Sequence, residues 1–443
     1  MSPITLNADD ESDDELKTPL ASSSEIDEAN ERIIAIGKCV LSGNFEFMVT
    51  NLMFLANFLS SHRLNDNTDV IYHRSLIGLV NELYNDSNPL VKSNCIKILI
   101  GILGQKPMIL DNYWSIMINI VATTLKSEYY DESEYVFLLL GKMISHNPSM
   151  SDCFLKEFDL VNFGDCCVLH LLKSKTRYLI YALHMISSNS VLDGFSIHAF
   201  LNLYYYSFKR NVHFELCYSF LGVYSLMNQN SFNINEFSNH SIFPLMIDHF
   251  YMSEDRIIKY YAIKSIRKLA MLGYHFDLPT ASQVMIVDNN IPILHEIINA
   301  SMELLKFHAN RSPNLVIEYE PFIELAYKLN ESSFKLKLEI VSLFHLLIQI
   351  YYDSHFLESI YDHFLSLIPD FLMSIYDEHS LISFLEILVA LINHPNYSIS
   401  KTSLERIYEY EYLFNDIITN NTNTDICARI KEILFSNSSF QFK

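Results

Sequence analysis

The chain has 443 residues, 50% of them apolar and 13% aromatic, which excludes global disorder and supplies material for a large core. A net charge of −21 speaks against duplex nucleic acid and anionic membranes as partners, because both are bound through a basic face. With only 10 Gly and 12 Pro, the chain has too few tight turns for a many-stranded sandwich or barrel.

In chain order, residues 1–24 are polar, acidic and short of apolar anchors, and are predicted to form a disordered tail. Between Met1 and Arg32, ten acidic residues outnumber two basic ones, so this segment carries −8 and the remainder −13. It lacks the basic and apolar regions of a secretory signal, and no later stretch approaches a membrane-spanning run. The expected location is the cytoplasm, with the nucleus as the alternative. Seven scattered cysteines without a C-x-x-C pair read as reduced core thiols.

Ser24, with Asp27 and Glu28 after it, reads as the start of the first helix. From residue 25 to 435, apolar runs at three-to-four spacing, broken by clusters of Asn, Ser, Asp and Pro, predict helices throughout, with 436–443 a short flexible end. Leu90 to Leu103 is predicted to stop at Gly104 ahead of Pro107, and Arg256 to Leu272 at Gly273 ahead of Pro279. Asn88-Pro89, Asn147-Pro148, Ser312-Pro313 and His394-Pro395 mark further junctions.

The most apolar predicted helices centre on Phe54, Ile96, Leu138, Ile180, Phe220, Ile263, Leu304, Val341 and Leu385, spaced 37 to 44 residues apart. A period near 42 points to a helical repeat. Asn88 to Gly104, Ser133 to Ser145 and Ser253 to Gly273 resemble the last helix of an armadillo repeat, and the segment from Ser241 resembles its second helix. Resemblance to the armadillo/HEAT-like superfamily implies an all-α fold, a right-handed α-solenoid of about nine armadillo-like repeats behind the acidic tail.

No catalytic pattern is complete. His295-Glu296-Ile297-Ile298-Asn299 has Asn299 where the zinc helix H-E-x-x-H needs its second imidazole. Gly101 to Lys106 lacks the spacing of a phosphate loop and reads as a helix end. Cys166-Cys167 suits a buried structural role better than a redox pair. The chain is therefore expected to be no enzyme and to need no cofactor or metal.

In the armadillo family the last helix of each repeat faces a concave groove that takes extended peptides. In its nuclear-import branch, importin-alpha, that groove presents a Trp and, four residues on, an Asn. The matching positions here are Leu138 with Lys142, Tyr181 with Met185, and Lys264 with Lys268. The single tryptophan, Trp114, has Asn119 five residues on and is expected in an earlier helix of its repeat. On an ideal helix Arg256, Lys259, Lys264, Arg267 and Lys268 share one arc, opposite Ile258, Ala262, Ile266 and Leu269. Basic pairs recur at Lys92 and Lys97, Lys175 and Arg177, and Lys335 and Lys337.

These cations suit either ordinary solvated faces or a basic groove for an extended acidic segment, as in the beta-catenin branch. The chain's own residues 9–15 are a further candidate occupant. Ser12, followed by Asp13, Asp14 and Glu15, suits an acid-directed kinase. The expected function is a non-catalytic protein-binding scaffold or adaptor, monomeric or part of a hetero-complex. A nuclear-transport adaptor with a diverged groove and a regulatory subunit of an enzyme are the alternatives.

Overall fold

The computed structural model describes residues 19–62, 64, 70–84, 88–105, 113–126, 133–158, 163–164, 167–168, 171, 176–274, 290–311, 318–329, 331–374 and 377–435. Among the described residues every regular element is a helix and there is no strand. Chain contacts divide into two units, Met1–Met246 and Ile247–Lys443.

The first unit contains α1 (Ser23–Ser42), α2 (Phe45–Ser61), α3 (Val70–Tyr84), α4 (Pro89–Gln105), α5 (Trp114–Lys126), α6 (Ser133–His146), α7 (Ser149–Glu157), α8 (Arg177–Asn189), α9 (Gly194–Arg210), α10 (His213–Met227) and α11 (Ile234–Phe237). The division falls within α12 (Ile242–Met252). Helices α2, α4, α6, α8 and α10 pack each against the next as a row. The first four begin at residues 45, 89, 133 and 177, a constant step of 44.

The second unit contains α13 (Arg256–Met271), α14 (Ile291–Arg311), α15 (Glu320–Tyr327), α16 (Phe334–Ile350), α17 (Ser354–Leu365), α18 (Ile368–Ser374), α19 (Glu378–Ile392), α20 (Tyr397–Glu409), α21 (Glu411–Asn420) and α22 (Thr424–Phe435). Here the row is α13, α14, α16, α19 and α22. Pairs of helices, α17 with α18 and α20 with α21, separate its last three members in sequence. All nine predicted centres fall on row helices, one to each. The tenth row helix, α22, lies inside the predicted helical span but supplied no centre, since its buried residues are only Ile426, Ile430 and Ile433 among mostly polar neighbours.

Two predicted boundaries change. The first helix begins at Ser23, not Ser24, because Ser22 and Glu25 form a reciprocal capping box that satisfies two backbone N–H groups. Helix α4 continues through Gly104 to Gln105. Gln105 is held there by its Nε2, which donates to the carbonyls of Leu59 at 2.6 Å and His62 at 2.9 Å, at the end of α2. The predicted stop at Gly273 is found as expected, with that glycine at φ 81 after α13.

Side chains one repeat apart satisfy backbone groups that a helix end leaves open. Gln229, just beyond α10, repeats the Gln105 device: its Nε2 donates to the carbonyls of Ser187 and Ser190, each at 3.0 Å, at the end of α8. Its Oε1 accepts from the Leu192 N–H at 2.8 Å. Glycine lets aromatic rings approach closely in the first unit. A Cβ on Gly141 of α6 would stand 2.4 Å from the Tyr181 ring of α8. One on Gly222 of α10 would stand 2.1 Å from the hydroxyl of the buried Tyr204 of α9.

Candidate protein-binding face

Helix α13 carries the largest predicted group of cations. Its start is set by Asp255, whose carboxylate accepts from the N–H groups of Ile257 and Ile258 at 2.8 and 3.2 Å. Ile258, Ala262, Ile266 and Leu269 are buried, so the basic arc faces away from the core as the helical period requires. Arg256 is exposed, while Lys259, Lys264 and Lys268 are half-buried. The Lys264 ammonium lies 5.8 Å from the Tyr260 ring.

Two of the predicted groove cations are not open charges. Arg267 of α13 is tied to Glu296 of α14, with Nη1 3.3 Å from Oε2. Lys337 is only 8% exposed, and its Nζ lies 3.0 Å from Asp370 Oδ2 of α18. An ammonium is costly to bury unless it is paired, and Asp370 supplies that pair. Lys337 is thus an internal tie between α16 and α18, whereas Lys335 is exposed. Lys175, Ser12 and the proposed internal occupant 9–15 lie outside the described residues.

In the first unit Lys92, Lys97 and Arg177 meet aromatic rings. Lys92 Nζ lies 5.7 Å from the Tyr84 ring, and Lys97 Nζ 4.5 Å from Tyr135, one row helix on. Tyr135 leads to Tyr178 of α8 at 6.4 Å between ring centres. The exposed Arg177 stands 5.9 Å from Tyr178 and 4.0 Å from Phe214 of α10. Each such contact is worth roughly 0.5–1 kcal/mol where solvent reaches it. Lys142 is half-buried on α6, between these cations in the row. Among the described residues, Lys97 and Arg177 have no carboxylate within ion-pair distance.

The sequence reading named these cations but not Tyr135, Tyr178 and Phe214. Tyr178 and Phe214 could have been flagged, since each stands next to a charged or titratable residue at the start of a row helix. Tyr181, placed on the groove by analogy, is instead buried between Gly141 and Tyr218, whose ring centre is 5.3 Å away.

The charge of the molecule is segregated. The ten row helices together hold fifteen Lys and Arg against ten Asp and Glu, a balance of +5. With −21 overall, the rest of the chain carries −26. His184, on row helix α8, adds no charge to the strip at neutral pH. Burial pushes the His184 imidazole, packed on Tyr218, down to about 4. Burial, with the nearby His198, brings His240 to about 4 as well.

The apparent catalytic motifs have structural partners. His295 and Glu296 point to different neighbours: the imidazole contacts Glu339 of α16 while the carboxylate pairs with Arg267 of α13. Asn299 donates to the His295 carbonyl at 2.8 Å within the same helix. Among the described residues, no group of three or more His, Cys, Asp or Glu could hold a metal ion. Cys167 is buried, and Cys166 lies outside the described residues. Trp114 begins α5, off the row, in agreement with the sequence reading. No described helix is long and apolar enough to cross a membrane.

No protein-family model matches the chain, and no curated protein does. Among solved structures it is similar to an engineered protein known from its crystal structure, with a TM-score of 0.65 at 11% identity, covering 92% of this chain and 99% of that one. That likeness shows a shared fold. It is also similar, at a TM-score of 0.43 and 11% identity over 89% of this chain and 98% of the other, to a chain from work on a phosphorylation switch controlling the interaction between cadherin and beta-catenin.

Proposed function

We propose that the protein is a non-catalytic intracellular scaffold or adaptor, built of about nine armadillo-like repeats, that binds an extended acidic segment of a protein partner along its row helices. The observation that carries this reading is the charge segregation, +5 on the row helices of a chain that is −21 overall. An acidic protein gains solubility and weak non-specific association from its net charge. Fifteen of the 31 Lys and Arg lie on these helices, where they outnumber the acids, so an acidic partner gains most from complementarity there.

The nuclear-transport alternative has less support, because Trp114 lies off the row and Tyr181 is buried. The chain's own residues 9–15 are proposed as a weak competitor for the same face, since single exposed charge pairs contribute little and must act together.

Binding of a fluorescent acidic peptide, followed by anisotropy at low and moderate salt, tests the reading. Saturable binding that weakens with salt and is lost when Lys259, Lys264 and Lys268 are changed to Glu together with Lys97 and Arg177 is expected. Binding that ignores these charge reversals would overturn it. Deleting residues 1–18, which leaves the Ser22 cap intact, is expected to raise affinity at low salt only.

A further inference from the structure

The first unit's cations and rings form a measured track that prescribes where the charges of an acidic segment must lie. From Lys97 Nζ the legs are 4.5 Å to the Tyr135 ring, 6.4 Å on to Tyr178, and 5.9 Å to the Arg177 guanidinium. Laid end to end, they place the two cations no more than about 17 Å apart. Neither cation has a carboxylate within ion-pair distance among the described residues, and Arg177 is exposed. Between them the rings of Tyr135 and Tyr178, both half-buried, offer an apolar step.

An extended chain advances roughly 3.3 Å per residue and points alternate side chains to opposite sides. Only residues an even number apart share a face. Spacings of two and four residues, roughly 7 and 13 Å, both fit within the track, and only four leaves a residue of the same face between the two charges. A spacing of six covers roughly 20 Å and overshoots it. The residue midway faces the same surface and meets the two tyrosines.

We infer that the first unit reads an extended acidic segment of a protein partner through carboxylates at positions i and i+4, taken by Lys97 and Arg177, with an apolar side chain at i+2 on Tyr135 and Tyr178. This rests on the peptide-binding reading above and adds a register to it. Charge complementarity selects the occupant: the track offers two cations with no acid of their own, and the rings give a flat surface of low conformational cost.

The test compares two short labelled peptides of identical composition by anisotropy against the full chain. One carries Asp at i and i+4 with Leu at i+2; in the other the second Asp is moved to i+3, onto the opposite face. The first is expected to bind about fivefold more tightly, the scale of one exposed charge pair. Lys97→Ala and Arg177→Ala should each abolish that preference, while Lys38→Ala and Lys156→Ala, on exposed residues off the row, should leave it unchanged.

Circular dichroism melts of the variants separate misfolding from lost contacts. The inference is overturned if both peptides bind equally, if the Lys97 and Arg177 variants keep the preference, or if a short single-stranded oligonucleotide of equal charge binds more tightly than either peptide. If acidic peptides bind regardless of register, only the register fails. If none binds at all, the scaffold reading fails with it.

Discussion

The two units build the same row of helices with different side-chain chemistry. In the first, successive row helices meet through rings and glycine: Tyr181 lies over Gly141, Lys97 over Tyr135, and Arg177 over Phe214. In the second they meet through acid–base pairs: Arg267 with Glu296, His295 with Glu339, and Arg429 with Glu386 at 2.6 Å. A ring can face a cation without cancelling its charge, whereas a carboxylate cancels it. The first unit therefore keeps cations that a partner can still use, and much of the second unit's positive charge beyond α13 is spent within the fold.

The strongest way to break this comparison is at a glycine. Gly222→Ala places a Cβ against the ring of Tyr204, which is fully buried and bonded to Ser187 at 2.9 Å and so has no room to swing. A loss of about 2–3 kcal/mol is expected, read as a lower melting midpoint and faster hydrogen exchange in the first unit. Exchange in the second unit should not change.

Acid should also act first on the first unit. His184 and His240 have folded-state pKa values near 4, below the ordinary histidine value near 6.5. Between these limits the unfolded chain binds more protons, so the stability that is fully present above about pH 6.5 is lost as pH falls toward 4. At pH 5 the buried His184 should cost the first unit about 1–2 kcal/mol and the half-exposed His240 less, because solvent screens it, and His184→Gln should flatten the pH dependence of its exchange rates.

Removing a carboxylate sharpens the contrast. Glu296→Ala leaves Arg267, whose Nε is already buried without a partner, with no acid to balance it. A loss of about 1–2 kcal/mol is expected in urea melts. Lys97→Met in the first unit removes only a ring contact and should change stability by less than about 1 kcal/mol. Melts in which Lys97→Met costs as much as Glu296→Ala would refute the distinction.

How far the sequence reached follows from the range of the interactions involved. The period was legible because each row helix supplies its own run of buried residues, as Val136, Phe137, Leu139 and Leu140 do in α6. The outward face of α13 was legible for the same reason, since helical geometry alone puts Ile258, Ala262, Ile266 and Leu269 on one side. Helix α22 gave no centre to the period because three isoleucines make a thin apolar signal.

Which cations stay open was not legible, because their partners come from elsewhere in the chain. Glu296 is 29 residues from Arg267, and Asp370 is 33 residues from Lys337. The ring track was hidden likewise, since Phe214 reaches Arg177 only once α8 and α10 pack.

The central claim is that the exposed side of the row helices, and not the rest of the surface, receives an acidic segment. Lysine acetylation followed by mass spectrometry, with and without a saturating acidic peptide, tests it most directly. The account predicts protection of Lys97, Lys259 and Lys264 on row helices, and unchanged labelling of the exposed off-row Lys38, Lys156 and Lys209. Equal protection of both groups, or protection of the off-row lysines alone, would contradict it.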